Sequence, residues 1–223
     1  MFTEGPFIQR YQMAADAGFK AVESGFPYGL SLDTVLQSKT RADVEQVLIN
    51  IYTGDTTKGE IGFAAVPGKE KEFRNSLDIT VEYAKALGAK KMHIMSGKVE
   101  NPIENYDETL EQNLHYAVQI LEKENIMGLL EPINKYSVPY YYMNSFEKAV
   151  AVIDKINSPN LKLMLDVFHL QQICGDISHK IENLMKYVGH VQVAQVPNRN
   201  EPHMCGELDY KYNINHKQQH WKD

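Results

Sequence analysis

The sequence predicts an α/β fold in which parallel strands alternate with helices. Two observations lead to this prediction. Short apolar runs alternate with helical patterns about every 30–40 residues, and these runs are apolar on both faces, as strands covered by helices are. An open doubly wound sheet and a (β/α)8 barrel both fit. No G-x-G-x-x-G follows the first strand, where the sequence reads ESGFPYG, so the dinucleotide-binding form of the open sheet is disfavoured.

Six apolar runs are predicted to be strands, at residues 19–26, 47–54, 90–97, 126–134, 161–169 and 189–197. The clearest helical pattern precedes the third strand, with apolar residues at steps of three and four: Phe73, Leu77, Val81, Ala84 and Leu87. Gly88 stands where a helix commonly ends in the left-handed conformation. A second helix is predicted around residues 108–125. A third begins at Ser145, a plausible N-cap, and ends near Asn157.

The composition is that of one globular domain. The chain has 223 residues, 43% of them hydrophobic, and no linker divides it. A net charge of −6 without a basic cluster argues against nucleic acid, and no apolar run approaches the ~18 residues of a membrane span. Cys174 and Cys205 do not make a disulfide framework. Glu4 and Pro6 stand where a signal peptide needs a long apolar core, so we expect no signal peptide. We expect a cytoplasmic protein that acts on a small molecule. A mitochondrial location and homo-oligomer formation stay open.

Polar side chains stand at the C-terminal ends of the predicted strands, where parallel α/β folds bind their ligands. Glu131, Asp166 and Gln192 come from three successive strands, so their side chains would converge in a closed sheet. Two neighbouring carboxylates repel, and no lysine or arginine is placed between them on those strands. A divalent cation would offset this charge. Oxygen ligands of these types favour Mg²⁺ or Mn²⁺ over zinc.

A simpler interpretation stays open for each of these residues. A glutamate at a strand end is often a solvated rim residue or a partner of a helix N-terminus. His93 and His190, on the third and sixth strands, would then only pack or orient their neighbours. Glu23 is a further polar residue near the end of the first strand. The coincidence of three oxygen donors on consecutive strands favours the metal site.

Four segments resemble the hydroxypyruvate isomerases of the xylose isomerase-like TIM-barrel superfamily: LLEPIN, LDVFH, GHVQVAQVPNRNEP and GELDY. The segments GFKAVE, LINIYTGD, GFAAVPG and ALGAKKMHIMSG also occur in the order of that family, and the resemblance extends from residue 3 to residue 212. It implies a TIM barrel and a metal-assisted isomerase. The implied reaction interconverts hydroxypyruvate and 2-hydroxy-3-oxopropanoate (tartronate semialdehyde) through an enediolate.

The resemblance also implies roles for individual residues. Family members bind the metal through Glu, Asp, Gln and a final Glu, and the first three match Glu131, Asp166 and Gln192. The two glutamates also serve as acid and base, which makes Glu131 the expected catalytic residue. Substrate contacts are implied at four positions: His169, Arg199, Asn134 and His93.

The chain departs from the family pattern at both ends. It starts inside the segment that ends the first strand of relatives, and it contains no CEY-like motif with the second catalytic glutamate. We expect an incomplete barrel of about six strands with open edges over residues 1–212, and a divergent polar tail at residues 213–223. Such a form would have impaired activity. Two alternatives stay open: a related 2-oxo-tetronate or ketose isomerase or epimerase, and a non-catalytic truncated isoform.

Overall fold

The computed structural model describes residues 2–99 and 105–212 and contains six parallel strands in one curled sheet. The strand order follows the chain, β1-β2-β3-β4-β5-β6, as in a barrel built from successive βα units. The strands are β1 Ala21–Ser24, β2 Glu45–Asn50, β3 Lys91–His93, β4 Met127–Leu130, β5 Leu161–Asp166 and β6 Val188–Gln192. Within the described residues β1 and β6 do not pair with each other, which confirms the predicted incomplete barrel of six strands with open edges.

The described residues form seven α-helices: α1 Phe7–Asp16, α2 Leu32–Ala42, α3 Glu70–Leu87, α4 Tyr106–Glu124, α5 Phe146–Ile156, α6 Val167–Ile173 and α7 Ile177–Leu184. The three helices predicted from periodicity are α3, α4 and α5. Gly88 adopts the left-handed conformation after α3, and Oγ of Ser145 accepts the backbone N–H of Lys148 at the start of α5 (3.2 Å), as predicted. No helix in the described part of the chain is both long and apolar enough to cross a bilayer.

The two faces of the sheet bury different side chains, because successive residues of a strand point to opposite sides. Outward-facing residues pack against the helices in the main core: Ile49, Met92, Leu163 and Leu165. Inward-facing residues form a smaller cluster inside the curl: Leu48, Leu129 and Met164. Glu131 lies two residues beyond Leu129, and Asp166 two residues beyond Met164. The inner face therefore changes from apolar to acidic at the carboxyl ends of β4 and β5.

The observed strands are shorter than the sequence predicts, because local chemistry ends them early. β4 ends at Leu130, ahead of Pro132, whose missing N–H cannot join a strand ladder. β5 ends at Asp166, whose side chain accepts the backbone N–H of Phe168 (2.9 Å) and so caps α6. The predicted polar tail at residues 213–223 lies outside the described residues.

Candidate active site

Four predicted site residues lie at one edge of the sheet, because parallel strands bring their carboxyl ends together. His93 ends β3, Asp166 ends β5 and Gln192 ends β6, while Glu131 directly follows β4. Asp166 and Gln192 are partners in the register of β5 and β6. The structure thus brings these four residues to the same end of the half-barrel.

Glu131, Asp166 and His169 form a buried cluster, in which one ligand-type atom of each residue lies within 4.8 Å of the others. Nε2 of His169 is 3.6 Å from Oε1 of Glu131 and 3.7 Å from Oδ2 of Asp166. Oε1 of Glu131 is buried and makes no hydrogen bond within the described residues. Burying such an oxygen near a second carboxyl group is costly, and a divalent cation would offset the cost. The residues present therefore fit a metal ion.

Both carboxyl groups hold their protons more tightly than exposed ones do. Burial raises the pKa of Glu131 well above its ordinary value of 4.5, and the charge of Asp166 raises it further. Burial also raises the pKa of Asp166, against the opposing effects of Arg199 and of the N–H of Phe168. A cation that binds here must displace protons, so its affinity will depend on pH.

Arg199, which lies beyond β6, supplies a positive charge next to the buried carboxyl group of Asp166. Its Nη2 donates to Oδ2 of Asp166 (2.7 Å), and its guanidinium carbon lies 4.8 Å from the ring centre of Phe168. The expectation that no basic residue lies between the carboxylates holds for the strands. It fails for the folded chain, because the segment after β6 returns Arg199 to Asp166. The side chain remains 47% exposed, so one side of the guanidinium faces solvent.

Asn134 determines which nitrogen of His169 carries the proton. Oδ1 of Asn134 accepts the backbone N–H groups of Tyr136 and Ser137, both at 2.9 Å, so its amide nitrogen is the atom that faces Nδ1 of His169 at 2.7 Å. The backbone N–H of Asn134 donates to the same Nδ1 at 3.2 Å. Nδ1 is therefore an acceptor, and in the neutral ring Nε2 carries the proton.

One contact opposes this assignment. Nη1 of Arg199 lies 3.3 Å from Nε2 of His169. A guanidinium can only donate hydrogen bonds, so a protonated Nε2 would place two donors opposite each other. The backbone N–H of Asn134 cannot rotate away, whereas the half-exposed Arg199 can. His169 accordingly presents a hydrogen-bond donor to the site rather than a lone pair for a metal, in keeping with its predicted role as a substrate contact.

The two buried histidines of the site are neutral at physiological pH. Burial lowers the pKa of His93 to about 3. Burial, together with the charge of Arg199, lowers the pKa of His169 to about 3. Nδ1 of His93 lies 3.4 Å from Oε2 of Glu131, and its Nε2 makes no hydrogen bond within the described residues. That nitrogen is therefore available to a polar group of a substrate.

Gln192 points its amide nitrogen across the opening between β6 and β1. Its Nε2 donates to Oε2 of Glu23 (2.6 Å), and Nε2 of His190 contacts the other carboxylate oxygen (2.6 Å). Nζ of Lys91 lies 3.1 Å from Nδ1 of His190. Burial raises the pKa of Glu23, but the bonds from His190 and Gln192 outweigh it and leave the pKa lowered.

The part played by Lys91 is not anticipated by the sequence reasoning. Lys91 stands two residues before His93 on the third strand, so the alternation of side chains places it on the same inner face. That periodicity is the signal that could have identified it.

A cavity of about 670 Å³ opens between β1 and β6 and reaches the acidic cluster. Its lining includes aromatic side chains and polar groups of the site: Phe7, Tyr11 and Phe19, and Asp166, Gln192 and Arg199. Its volume lies within the range of ~300–1,000 Å³ typical of small-molecule sites. The site is therefore accessible from the open side of the half-barrel.

Comparisons with known proteins agree with this geometry. A family model described as xylose isomerase-like TIM barrel matches residues 11–216. The hydroxypyruvate isomerase of Escherichia coli strain K12 is 36% identical, over 95% of this chain and 83% of that protein. The 2-oxo-tetronate isomerase of Cupriavidus necator is 34% identical, over 95% of this chain and 82% of that protein. A solved structure from Brucella melitensis, described as an AP endonuclease of family 2, superposes with a TM-score of 0.93 at 38% identity, over 98% of this chain and 85% of that one.

Proposed function

The chain belongs to the xylose isomerase-like TIM-barrel family, and from this premise we propose that it interconverts hydroxypyruvate and 2-hydroxy-3-oxopropanoate. The observation that carries the proposal is the buried pair Glu131 and Asp166, with an unpaired carboxyl oxygen, at the carboxyl ends of neighbouring strands. Isomerases among its relatives support the reaction class.

Glu131, Asp166 and Gln192 would hold a divalent cation, Mg²⁺ or Mn²⁺. When bound, the ion supplies positive charge that stabilises the enediolate as it forms. The two carboxylates provide the negative charge that a hard cation needs, and an amide oxygen is a suitable neutral ligand. The proton on Nε2 of His169 argues against this histidine as a metal ligand. The proposed ligands are therefore the oxygen donors of Glu131, Asp166 and Gln192.

Glu131 would transfer the proton between the two carbons. In hydroxypyruvate the C3–H bond breaks, its electron pair forms the C2=C3 double bond of the enediolate, and Glu131 takes the proton. Returning that proton to C2, while the hydroxyl proton passes from O3 to O2, gives the aldehyde product. Oε1 of Glu131 can accept the proton, since it makes no hydrogen bond within the described residues.

Arg199 and the two neutral histidines would orient the substrate. A guanidinium binds a carboxylate through two parallel N–H···O bonds, and Arg199 is exposed enough to offer them. His169 presents Nε2–H to the site, and His93 has a buried ring nitrogen without a hydrogen bond in the described structure. These groups would bind the substrate oxygens while Glu131 moves the proton.

A second substrate class is a four-carbon 2-oxo acid, as the name of the Cupriavidus necator relative suggests. The cavity between β1 and β6 is large enough for either molecule, so size does not discriminate between them. A comparison of kcat/KM for hydroxypyruvate and for a 2-oxo-tetronate would discriminate between the two substrates. Cleavage of DNA, suggested by the description of the Brucella melitensis protein, is less well supported, because a net charge of −6 disfavours binding to phosphates.

The test is an isomerase assay in D₂O with Mn²⁺, with hydroxypyruvate as substrate and NMR as the readout. We expect deuterium at C2 of the product, because Glu131 exchanges its proton with solvent between removal and return. The Glu131→Gln variant should turn over about 10²–10⁴-fold more slowly. A wild-type protein that binds Mn²⁺ in a titration at pH 8 but neither converts hydroxypyruvate nor exchanges its C3 proton would contradict the proposal.

A further inference from the structure

We propose that Glu23 is a positioning residue that holds the Gln192 amide with its oxygen free to bind an ion beside Asp166. Glu23 lies on β1, at the far side of the opening from Gln192 on β6. The inference builds on the proposed function in one respect, because it assigns a cation to the acidic cluster. It adds a residue that would act on the cation only through its neighbour.

The hydrogen bonds that connect Lys91, His190 and Glu23 allow only one consistent assignment of donors and acceptors. Lys91 carries an ammonium group, which donates and cannot accept, so Nδ1 of His190 is an acceptor (3.1 Å). In the neutral ring Nε2 of His190 then carries the proton, and it donates to Oε1 of Glu23 (2.6 Å). The chain from Lys91 through His190 thus ends on one oxygen of the Glu23 carboxylate.

The second oxygen of that carboxylate fixes the orientation of Gln192. An ionised carboxylate accepts only, so the group of Gln192 that lies 2.6 Å away must be the amide NH₂. A side-chain amide can otherwise be flipped, since its nitrogen and oxygen are nearly equal in size. Here the carboxylate excludes the flipped form, which would set two acceptors against each other.

The fixed orientation has a consequence for metal binding. With the NH₂ group on Glu23, the amide oxygen of Gln192 is left for other partners, and Asp166 is the register partner of Gln192 across β5 and β6. A flipped amide would present a donor there, which repels a cation. Groups that orient metal ligands typically change metal affinity by about 10–100-fold when they are replaced.

The first experiment measures the orientation without any metal. In ¹⁵N-labelled, metal-free protein, the side-chain NH₂ resonances of Gln192 should be shifted downfield by the carboxylate and protected from solvent exchange. The Glu23→Gln and Glu23→Ala variants should lose both properties. The matched control is Glu45→Gln, an exposed glutamate on β2 of the same sheet, which should leave the Gln192 signals unchanged. Unshifted Gln192 signals in the wild-type protein would overturn the proposal.

The second experiment is a double-mutant cycle on Mn²⁺ affinity, measured by calorimetry. Glu23→Gln should weaken Mn²⁺ binding about 10–100-fold in the wild-type background and have no further effect in a Gln192→Ala background. An equal loss in both backgrounds would show that Glu23 acts independently of Gln192 and would refute the positioning role. So would an unchanged affinity in the single variant. Thermal melts of each variant identify those that have merely unfolded.

The two experiments separate this inference from the proposed function. A wild-type protein with shifted Gln192 signals, but without Mn²⁺ binding or turnover, would refute the function and leave the amide orientation established. Turnover and Mn²⁺ binding that do not change when Glu23 is replaced would support the function and refute the positioning role of Glu23.

Discussion

Nη2 of Arg199 lies 2.7 Å from Oδ2 of Asp166, so a half-exposed guanidinium pairs with an almost completely buried carboxyl group. The same arginine stacks over the ring of Phe168, which limits the directions in which it can move. Arg199 is thereby kept at the entrance to the acidic cluster, with N–H groups on its solvent side. This arrangement suits the capture of an anionic substrate.

Replacing Arg199 should weaken substrate binding more than the chemical step. We expect Arg199→Gln to raise KM for hydroxypyruvate about 10–100-fold, since charge-assisted hydrogen bonds contribute about 1.5–3 kcal/mol. Steady-state kinetics at saturating Mn²⁺ would measure the change. Arg41→Gln, on α2, is the matched control and should behave as wild type. A lowered kcat with an unchanged KM would show that Arg199 does not bind the substrate.

Replacing Glu131 should slow the reaction strongly and stabilise the fold at neutral pH. The folded-state pKa of Glu131 is raised, so its contribution to stability is fully present below pH 4.5 and is lost as the pH rises through the folded pKa. Glutamine mimics the protonated form and avoids that loss. We expect Glu131→Gln to gain about 0.5–2 kcal/mol at pH 8 and almost nothing at pH 4, while the rate falls about 10²–10⁴-fold. Melting curves of the metal-free protein at both pH values provide the measurement. An equal loss of stability at pH 4 and pH 8 would contradict a raised pKa of Glu131 in the folded protein.

His93 and His169 should not titrate between pH 5 and 8. Both pKa values are lowered to about 3, chiefly by burial, so the rings stay neutral throughout this window. Ring C–H resonances followed by NMR should therefore keep constant shifts, in contrast to a free histidine with a pKa near 6.5. The unfolded chain binds protons at these two sites below pH 6.5 and the folded chain does not, so they should lower stability as the pH falls toward 3. A midpoint near pH 6.5 for either ring would show that it is solvated or paired.

Gly62 should tolerate alanine much less well than Gly18. Both glycines have positive φ (106° and 89°), so each alanine variant carries similar backbone strain. A Cβ at Gly62 would lie 2.3 Å from the carbonyl oxygen of Met95, whereas nothing lies within 4 Å of a Cβ at Gly18. We expect Gly62→Ala to be less stable than Gly18→Ala by about 1–3 kcal/mol, the usual cost of overpacking. Urea denaturation would measure the difference, and equal losses would show that strain alone matters at both positions.

The sequence predicts the fold well because the relevant signals are local and periodic. Runs that are apolar on both faces identify the strands, and the parallel arrangement then requires the polar residues at their ends to meet at one edge. The positions of Glu131 and Asp166 follow from that rule without knowledge of any loop. For the same reason Gln192 could be placed opposite Asp166 by its position at the end of the sixth strand.

The remaining contacts of the site could not be predicted, because loops and long-range curvature decide them. Arg199 follows Asp166 by 33 residues and reaches it from the segment after β6, and periodicity says nothing about the path of that segment. Asn134 contacts His169 only because an Asx-type turn after β4 fixes its amide. The bond between Glu23 and Gln192 joins the two outermost described strands, so it depends on how far the whole sheet curls.

The proposed binding site lies at the opening between β1 and β6, where the described sheet has its two unpaired edges. In the described chain these edges are joined through side chains, those of Glu23, His190 and Gln192, with no backbone ladder between them. Breathing motions should begin there, and backbone amides of β1 and β6 should exchange with solvent earlier than those of β3 and β4. Gln192 belongs both to this edge and to the proposed ligand set, so each local opening would separate the proposed metal ligands. A bound cation would in turn stabilise the closed form of the edge.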